Sequence, residues 1–318
     1  MRIVSKRTIA KIFAFVISFV VIAATQLSCS TNGPEKVKRA SANYSLPKVV
    51  GNIRGDDINE SSGLSASKCS PDIFWTHNDS GGGAVVYAID ATGVRQGNWK
   101  VPGADNTDWE DIAEFKDSTG KCFLYIGDIG NNGLKRTDLT IYRVPEPPVV
   151  SQRSPAGNAL NETSAPERLK FTYPDGRHNA EALLVHPRTG DIFVITKRVD
   201  GPAAVYRIPS KFGSETPMTA ERLSEIKVPA VPNGLITGGD ISPDGRRMVL
   251  CDYAGAYEYR LPDGSANFDD IWQQFPDPID IGDRLVGEAV CYSSDGGSVF
   301  ATSENVGSPF IRVDSLQK

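Results

Sequence analysis

Histidine and cysteine are scarce: the 318 residues include three histidines and five cysteines. No cysteine pair has the C-x-x-C spacing of a structural zinc site, and no Cys/His nucleophile pairing is apparent. The G-x-x-x-x-G-K-[ST] phosphate loop is missing too. Positive charge is in deficit, with 34 Lys and Arg against 39 Asp and Glu, and the basic residues form no stripe. That balance excludes a nucleic-acid-binding role. The longest apolar run, Ile12 to Thr25, falls short of the roughly 20 residues of a comfortable membrane span. Beyond it, no segment sustains helical periodicity, which excludes a helical bundle.

What is present is a repeat. Asp108-Trp-Glu-Asp-Ile-Ala113, Phe123-Leu-Tyr-Ile-Gly-Asp128 and Leu139-Thr-Ile-Tyr-Arg-Val144 form one unit of an acidic start, an apolar strand, a polar turn and a further strand. Similar units start at Glu60, Glu181, Asp240 and Glu288, so the acidic starts at 60, 110, 181, 240 and 288 are 50, 71, 59 and 48 residues apart. A period near 50 with several short strands per copy predicts propeller blades. The expected fold is all-β, a five-bladed β-propeller, with six blades as the alternative count. The long second interval holds Pro145 to Pro166, which reads as an inserted loop. Blade five runs out of chain after three strands. Leu46 to Ile53 is therefore expected to supply its outer strand and close the ring, since that edge would otherwise stay unpaired.

Arg2, Lys6, Arg7 and Lys11 precede the apolar run, and Gln26-Leu-Ser-Cys29 follows it. This is the layout of an export signal. The small residue before Cys29 resembles a bacterial lipobox, with Gln26 where that motif usually has Leu. Residues 1–29 are read as signal peptide, 30–45 as flexible tether and 46–318 as one propeller domain. The chain is expected to be exported and anchored to membrane lipid through Cys29 in the cell envelope, in the periplasm or at the surface; soluble secretion and an uncleaved anchor are the alternatives. Without the leader's four charges the formal net charge falls from −5 to −9.

Four further cysteines, an even number in an exported chain, suggest disulfides. The blade register favours Cys69–Cys122 and Cys251–Cys291; buried free thiols are the alternative.

Successive strands of a blade are antiparallel, so the start of strand one and the end of strand two share one face of the disc. Glu60, Glu110, Glu181, Asp240 and Glu288 are expected as an inner ring of cation ligands at the channel mouth. Asp79, Asp128, Lys197 with Arg198, Asp252 and Glu304 stand at the ends of the second strands. Crowded carboxylates resist ionising unless something compensates, and Ca²⁺ tolerates irregular oxygen sites better than Mg²⁺. The simpler reading is that water or backbone N–H groups satisfy them. His77 and His178 fall on the same face and could act as acid or base, while His186 reads as a surface turn residue.

Glu60-Ser-Ser-Gly-Leu, Trp75-Thr-His-Asn-Asp-Ser-Gly, Asp108-Trp-Glu-Asp-Ile-Ala, Tyr125-Ile-Gly-Asp-Ile-Gly-Asn-Asn and Asp240-Ile-Ser-Pro-Asp-Gly resemble a group of exported bacterial propeller proteins. More loosely, Glu60-x-x-Gly-Leu, His178-x-x-Glu181 and Gly287-Glu288 are similar to blade starts of calcium-dependent apyrases, with a weaker similarity to phytase-like esterase propellers. The apyrase likeness implies Glu60, Glu181 and Glu288 as Ca²⁺ ligands. Two functions are expected. One is a metal-dependent hydrolase of phosphate or other esters, in which Lys197 or Arg198 holds the anion and His77 or a carboxylate such as Asp79 activates water. The other is a non-catalytic module binding saccharide, peptide or protein, or a small-molecule or envelope ligand, at the same face.

Overall fold

A computed structural model describes residues 43–149 and 160–317 of the chain. Residues 1–42, which hold the expected signal peptide, Cys29 and nearly all of the expected tether, lie outside the described residues. The described chain forms five antiparallel sheets. Blade one is β2 (Ser61–Ala66), β3 (Ile73–Asn78), β4 (Val85–Asp90) and β5 (Arg95–Lys100). Blade two is β6 (Trp109–Lys116), β7 (Cys122–Asp128), β8 (Thr140–Pro145) and β10 (Glu167–Thr172). Blade three is β11 (Ala180–Val185), β12 (Ile192–Thr196), β13 (Ala203–Ile208) and β15 (Glu221–Ile226). Blade four is β16 (Gly238–Ile241), β17 (Arg247–Cys251), β18 (Ala256–Arg260) and β19 (Asp277–Ile279). Blade five is β20 (Gly287–Tyr292), β21 (Ser298–Ser303), β22 (Pro309–Asp314) and, from the other end of the chain, β1 (Lys48–Asn52).

The chain is thus a five-bladed β-propeller, and β1 pairs antiparallel with β22 to close it. The closing seam reaches back to Tyr44, which is buried and bridges to Ser315. Tyr44 and Tyr292 both donate their hydroxyls to Glu258, at 2.5 and 2.8 Å, and Arg247 and Arg260 pair with the same carboxylate.

Burial follows strand position. Every residue of β2, β11 and β20 is buried, because an inner strand has a neighbouring blade on each face. The outer strands β15 and β1 are mostly exposed or half-exposed. Five apolar clusters fill the interfaces, one between each pair of adjacent blades. The turns after β16 and β20 repeat one design: the Ser242 and Ser293 hydroxyls each donate to an Asp two residues on, at 2.5 Å, and Gly245 and Gly296 take positive φ of 67° and 70°.

The long insertion is more than a loop. Within it β9 (Asn161–Glu162) adds a parallel strand to the rim of blade one beside Trp99 and Lys100. Farther on, β14 (Met218–Thr219) does the same for β10 of blade two.

Cys69 and Cys122 form a disulfide. Cys251 and Cys291 do not: both are buried free thiols. Alternation along β20 explains the correction. Cys291 faces the blade-one side with Phe74 and Ile53, whereas Cys251 lies in the core between blades four and five with Val290 and Ile279. The two thiols lie on opposite sides of the blade-five sheet.

Candidate cation site at the channel mouth

A β-bulge sets the register of the inner ring. Pairing of the first two strands shifts between Ser61 and Gly63, Trp109 and Asp111, Ala180 and Ala182, and Gly287 and Ala289. The extra residue of each bulge is Ser62, Glu110, Glu181 and Glu288, and a bulge re-aims the side chain that it carries. Blade four pairs without a shift and has Gly238-Gly239 there. A Cβ on Gly238 would overlap the Glu288 carbonyl oxygen, and one on Gly239 would come 2.6 Å from Leu250 Cδ2. The ring of bulge positions therefore carries three carboxylates, one hydroxyl and one gap, where five carboxylates were expected. Glu60 stands two residues before its bulge and Asp240 one residue after the matching position.

Asp79, Asp108 and Glu110 each offer a carboxylate oxygen, all within 4.8 Å of one another. Glu110 is 4% exposed, and among the described residues no hydrogen-bond donor reaches its carboxylate. The loop after β7 wraps this group: a Cβ on Gly130 would overlap Glu110 Oε1 and come 2.5 Å from Asp108 Oδ2. Burial first, then Glu181, Asp79, Asp108 and Glu288, push the Glu110 carboxyl well above the usual range. Asp79 is pushed up to about 7 by burial and then by Asp108, Glu304, Glu60 and Glu181. Burial also raises Asp108, against the pull of Arg136. Glu288 is pushed up to about 8, by burial and then by Glu181.

Lys197 brings positive charge to this group from blade three. Lys197 Nζ lies 2.5 Å from Glu181 Oε2, and Asn179 donates to the other oxygen at 3.0 Å. Burial alone would lower the Lys197 pKa, but Glu181 and Glu288 outweigh it and hold it above the ordinary value. The ammonium also sits 4.7 Å from the Tyr253 ring centroid. Next to it opens a cleft of about 400 Å³, with Asn132, Arg177, His178, Asn179, Lys197 and Arg198 in its walls. The mouth is thus acidic on the blade-one and blade-two side and basic toward blade three.

A second layer of carboxylates serves the fold. Asp111 Oδ1 accepts from its neighbour Ile112 N at 2.8 Å and Oδ2 from Leu183 N of blade three at 2.9 Å. Asp240 repeats the device two blades on, accepting from Ile241 N at 2.8 Å and Tyr292 N at 2.9 Å. These side chains stitch inner strands of neighbouring blades together, so Asp240 leaves the expected ligand set. Asp128 and Asp252 are engaged in their own loops, with Arg136 at 2.8 Å and Tyr257 Oη at 2.7 Å.

The histidines divide differently from the expectation. His77 is fully buried behind Gly63, where a Cβ would come 2.7 Å from its Nε2, and its Nδ1 lies 3.0 Å from Asn78 O. Burial lowers its pKa to about 4, so it is neutral and walled off from the channel. His178 stands in the cleft wall with Nε2 3.0 Å from Asp175 Oδ1 and 3.1 Å from Tyr206 Oη. His186, expected at the surface, is buried, its ring centroid 4.7 Å from that of Phe268.

Asp108 is the member of the cluster that the sequence reading left out. Its signal was positional: it precedes its strand by one residue, as Glu60 and Asn179 do, and all three lie by the mouth. No protein-family model matches the chain, and no curated protein matches it.

Proposed function

We propose that the mouth holds a divalent cation, Ca²⁺ by its all-oxygen donor set, and that the protein is a cation-dependent hydrolase of phosphate or other anionic esters. The observation that carries this reading is Glu110. Glu110, 4% exposed, has two further carboxylates within 4.8 Å, one of which, Asp79, keeps a buried oxygen with no partner, an arrangement that suits a positive charge. Asp79, Asp108 and Glu110 would hold the cation, with Glu288 and Glu304 near enough to feel the same charge. The cation would supply Lewis-acid polarisation of the ester. Lys197, Arg177 and Arg198 line the cleft where the anionic part of the substrate would rest. His77 is excluded as the base by its burial. Glu288, with its pKa about 8 and no donor, is the carboxylate tuned to take a proton near neutral pH.

A second reading rests on the rim. Leu134, Val199, Val231, Leu285 and Val306, all in mouth-side loops, are 50%, 72%, 99%, 82% and 54% exposed. Apolar tips around a charged centre suit a module that docks a macromolecule. The envelope location, through the leader and Cys29, belongs to both readings; a Cys29→Ala chain should leave the membrane fraction.

The deciding experiment is metal analysis of the chelator-stripped and Ca²⁺-reloaded chain, with a phosphoester panel run on both. Ca²⁺-dependent turnover, lost in Glu110→Gln and in Glu288→Gln, supports the hydrolase. Stoichiometric Ca²⁺ without turnover favours the binding module, and no bound ion removes both the cation and the hydrolase.

A further inference from the structure

The disulfide lies at the other end of β6 from the mouth, about 13 Å along the strand from Glu110 to Glu114 at strand rise. Four residues converge there: Cys69 from the turn after β2, Glu114 near the end of β6, Cys122 opening β7 and Glu146 just after β8. One Sγ or carboxylate oxygen from each lies within 4.8 Å of all the others. The two carboxylates are fixed in the same manner. Glu114, 1% exposed, takes the Lys68 backbone N–H on Oε2 at 2.8 Å, and its Oε1 is buried without a donor. Glu146 takes the Ser67 hydroxyl at 2.5 Å and the Trp75 indole N–H at 2.8 Å on Oε1, and its Oε2 is buried without a donor. Each carboxylate is anchored by one oxygen, leaves the other buried without a partner, and has an oxygen within 4.8 Å of both sulfurs.

An unpartnered buried carboxylate oxygen costs free energy that a metal would recover. Sulfurs bonded to each other are poor ligands; as thiolates they complete a set of two sulfurs and two oxygens. We propose that the underside of the propeller is a redox-gated zinc site, closed while Cys69 and Cys122 are bonded and formed by those two thiolates with Glu114 and Glu146 once they are reduced. Zn²⁺ takes four ligands of this mixed kind in tetrahedral geometry, at about 2.3 Å for sulfur and 2.0–2.2 Å for oxygen. Opening the site needs two electrons and two protons from a thiol or phosphine reductant, giving two thiols; zinc then displaces both thiol protons. Cys69 is exposed, so the reductant reaches it. Two thiolates and two carboxylates carry four negative charges, offset by Zn²⁺ and by Lys68, whose ammonium stands 3.5 Å from Glu114 Oε2.

The full chain, with Ca²⁺ in excess to occupy the mouth, is reduced with a phosphine, desalted without oxygen and titrated with Co²⁺ as the optical substitute for Zn²⁺. The reduced protein should develop a near-ultraviolet thiolate-to-cobalt charge-transfer band that Zn²⁺ bleaches, and the oxidised protein should not. Glu114→Gln and Glu146→Gln should each weaken binding on the order of 10- to 100-fold while leaving the disulfide able to form. Cys69→Ser with Cys122→Ser should abolish the band. Absence of the band in reduced protein overturns the proposal. An unchanged affinity in both Glu variants overturns it for the carboxylates. A reduced chain whose circular dichroism is lost and is not restored by Zn²⁺ also overturns it, because the site must be set by the folded blades.

Discussion

Glu110 and Asp111 are neighbours on one inner strand, both carboxylates, both enclosed, both with pKa raised by burial. They differ in donors. Asp111 accepts backbone N–H groups from its own blade and from blade three, and Glu110 has none among the described residues. The bulge makes the difference, sending one side chain between blades and the other into the channel. A buried acid whose lone pairs are satisfied from within belongs to the fold. A buried acid without such donors, beside two others, is where the proposed cation would sit.

The contrast can be broken most forcefully at Asp111. Asp111→Ala removes the acceptor of the Ile112 and Leu183 backbone N–H groups, each costing about 1–3 kcal/mol when left unpaired in the interior. Unfolding in denaturant should show a loss on the order of 4 kcal/mol, and the melting temperature should drop by about 10 °C. A loss under about 1 kcal/mol would mean that water takes over the donors, and the stitching role would fail.

Next comes Glu110→Gln. In chelator it should be as stable as the parent or slightly more so, since it removes a repelled charge. With Ca²⁺ at a hundredfold excess over Kd the parent should gain about 2.7 kcal/mol, and the variant should gain little. Equal Ca²⁺ gains in both, by differential scanning calorimetry, would move the cation elsewhere.

The pH dependence sharpens the same point. Asp79 and Glu288 have ordinary values of 3.8 and 4.5 and folded values of about 7 and 8. The folded chain therefore holds more protons than the unfolded chain across that window, and stability must fall as pH rises through it. Chelated protein should melt highest near the acid end and lose stability progressively up to about pH 8. Ca²⁺ should stabilise more at pH 8 than at pH 5. A Ca²⁺ response independent of pH would separate the cation from these carboxyls.

The smallest effect is expected at Asp240→Asn, on the order of 1 kcal/mol, because the amide keeps one acceptor for the two N–H groups of Ile241 and Tyr292. Here Ca²⁺ binding should be untouched; a lost Ca²⁺ response would return Asp240 to the ligand ring.

Blade number and closure were legible because strand alternation and the 50-residue period survive divergence. Val49 and Ile311 face each other across the seam that the run after Leu46 was expected to form. The site was legible only to within two residues. A bulge inserts one residue that period-two reasoning cannot see, so Glu60 was aligned with Glu110 where Ser62 belongs, and Asp240 was aligned where Gly239 belongs. His77 looked like a channel residue from its polar neighbours, yet the space beside Gly63 draws it into the wall. Cys251 and Cys291 were paired by strand proximity, although face, set by residue parity along β20, decides whether two thiols can meet. Lys197 was found because a cation broke a run of acidic strand ends.

The closing seam also governs when the molecule can come into being. β1 is among the first propeller strands to be synthesised and its partner β22 the last, with Lys48 opposite Arg312. Until β22 has been synthesised, β1 has no mate and blade five is short of its rim strand. The growing polypeptide must therefore carry an open arc, with unpaired edges at both ends of it, for nearly its whole synthesis. A stalled or clipped product that lacks only β22 would be a sticky fragment and not a slightly weakened propeller, so quality control that recognises exposed strand edges would meet this chain until β22 is in place.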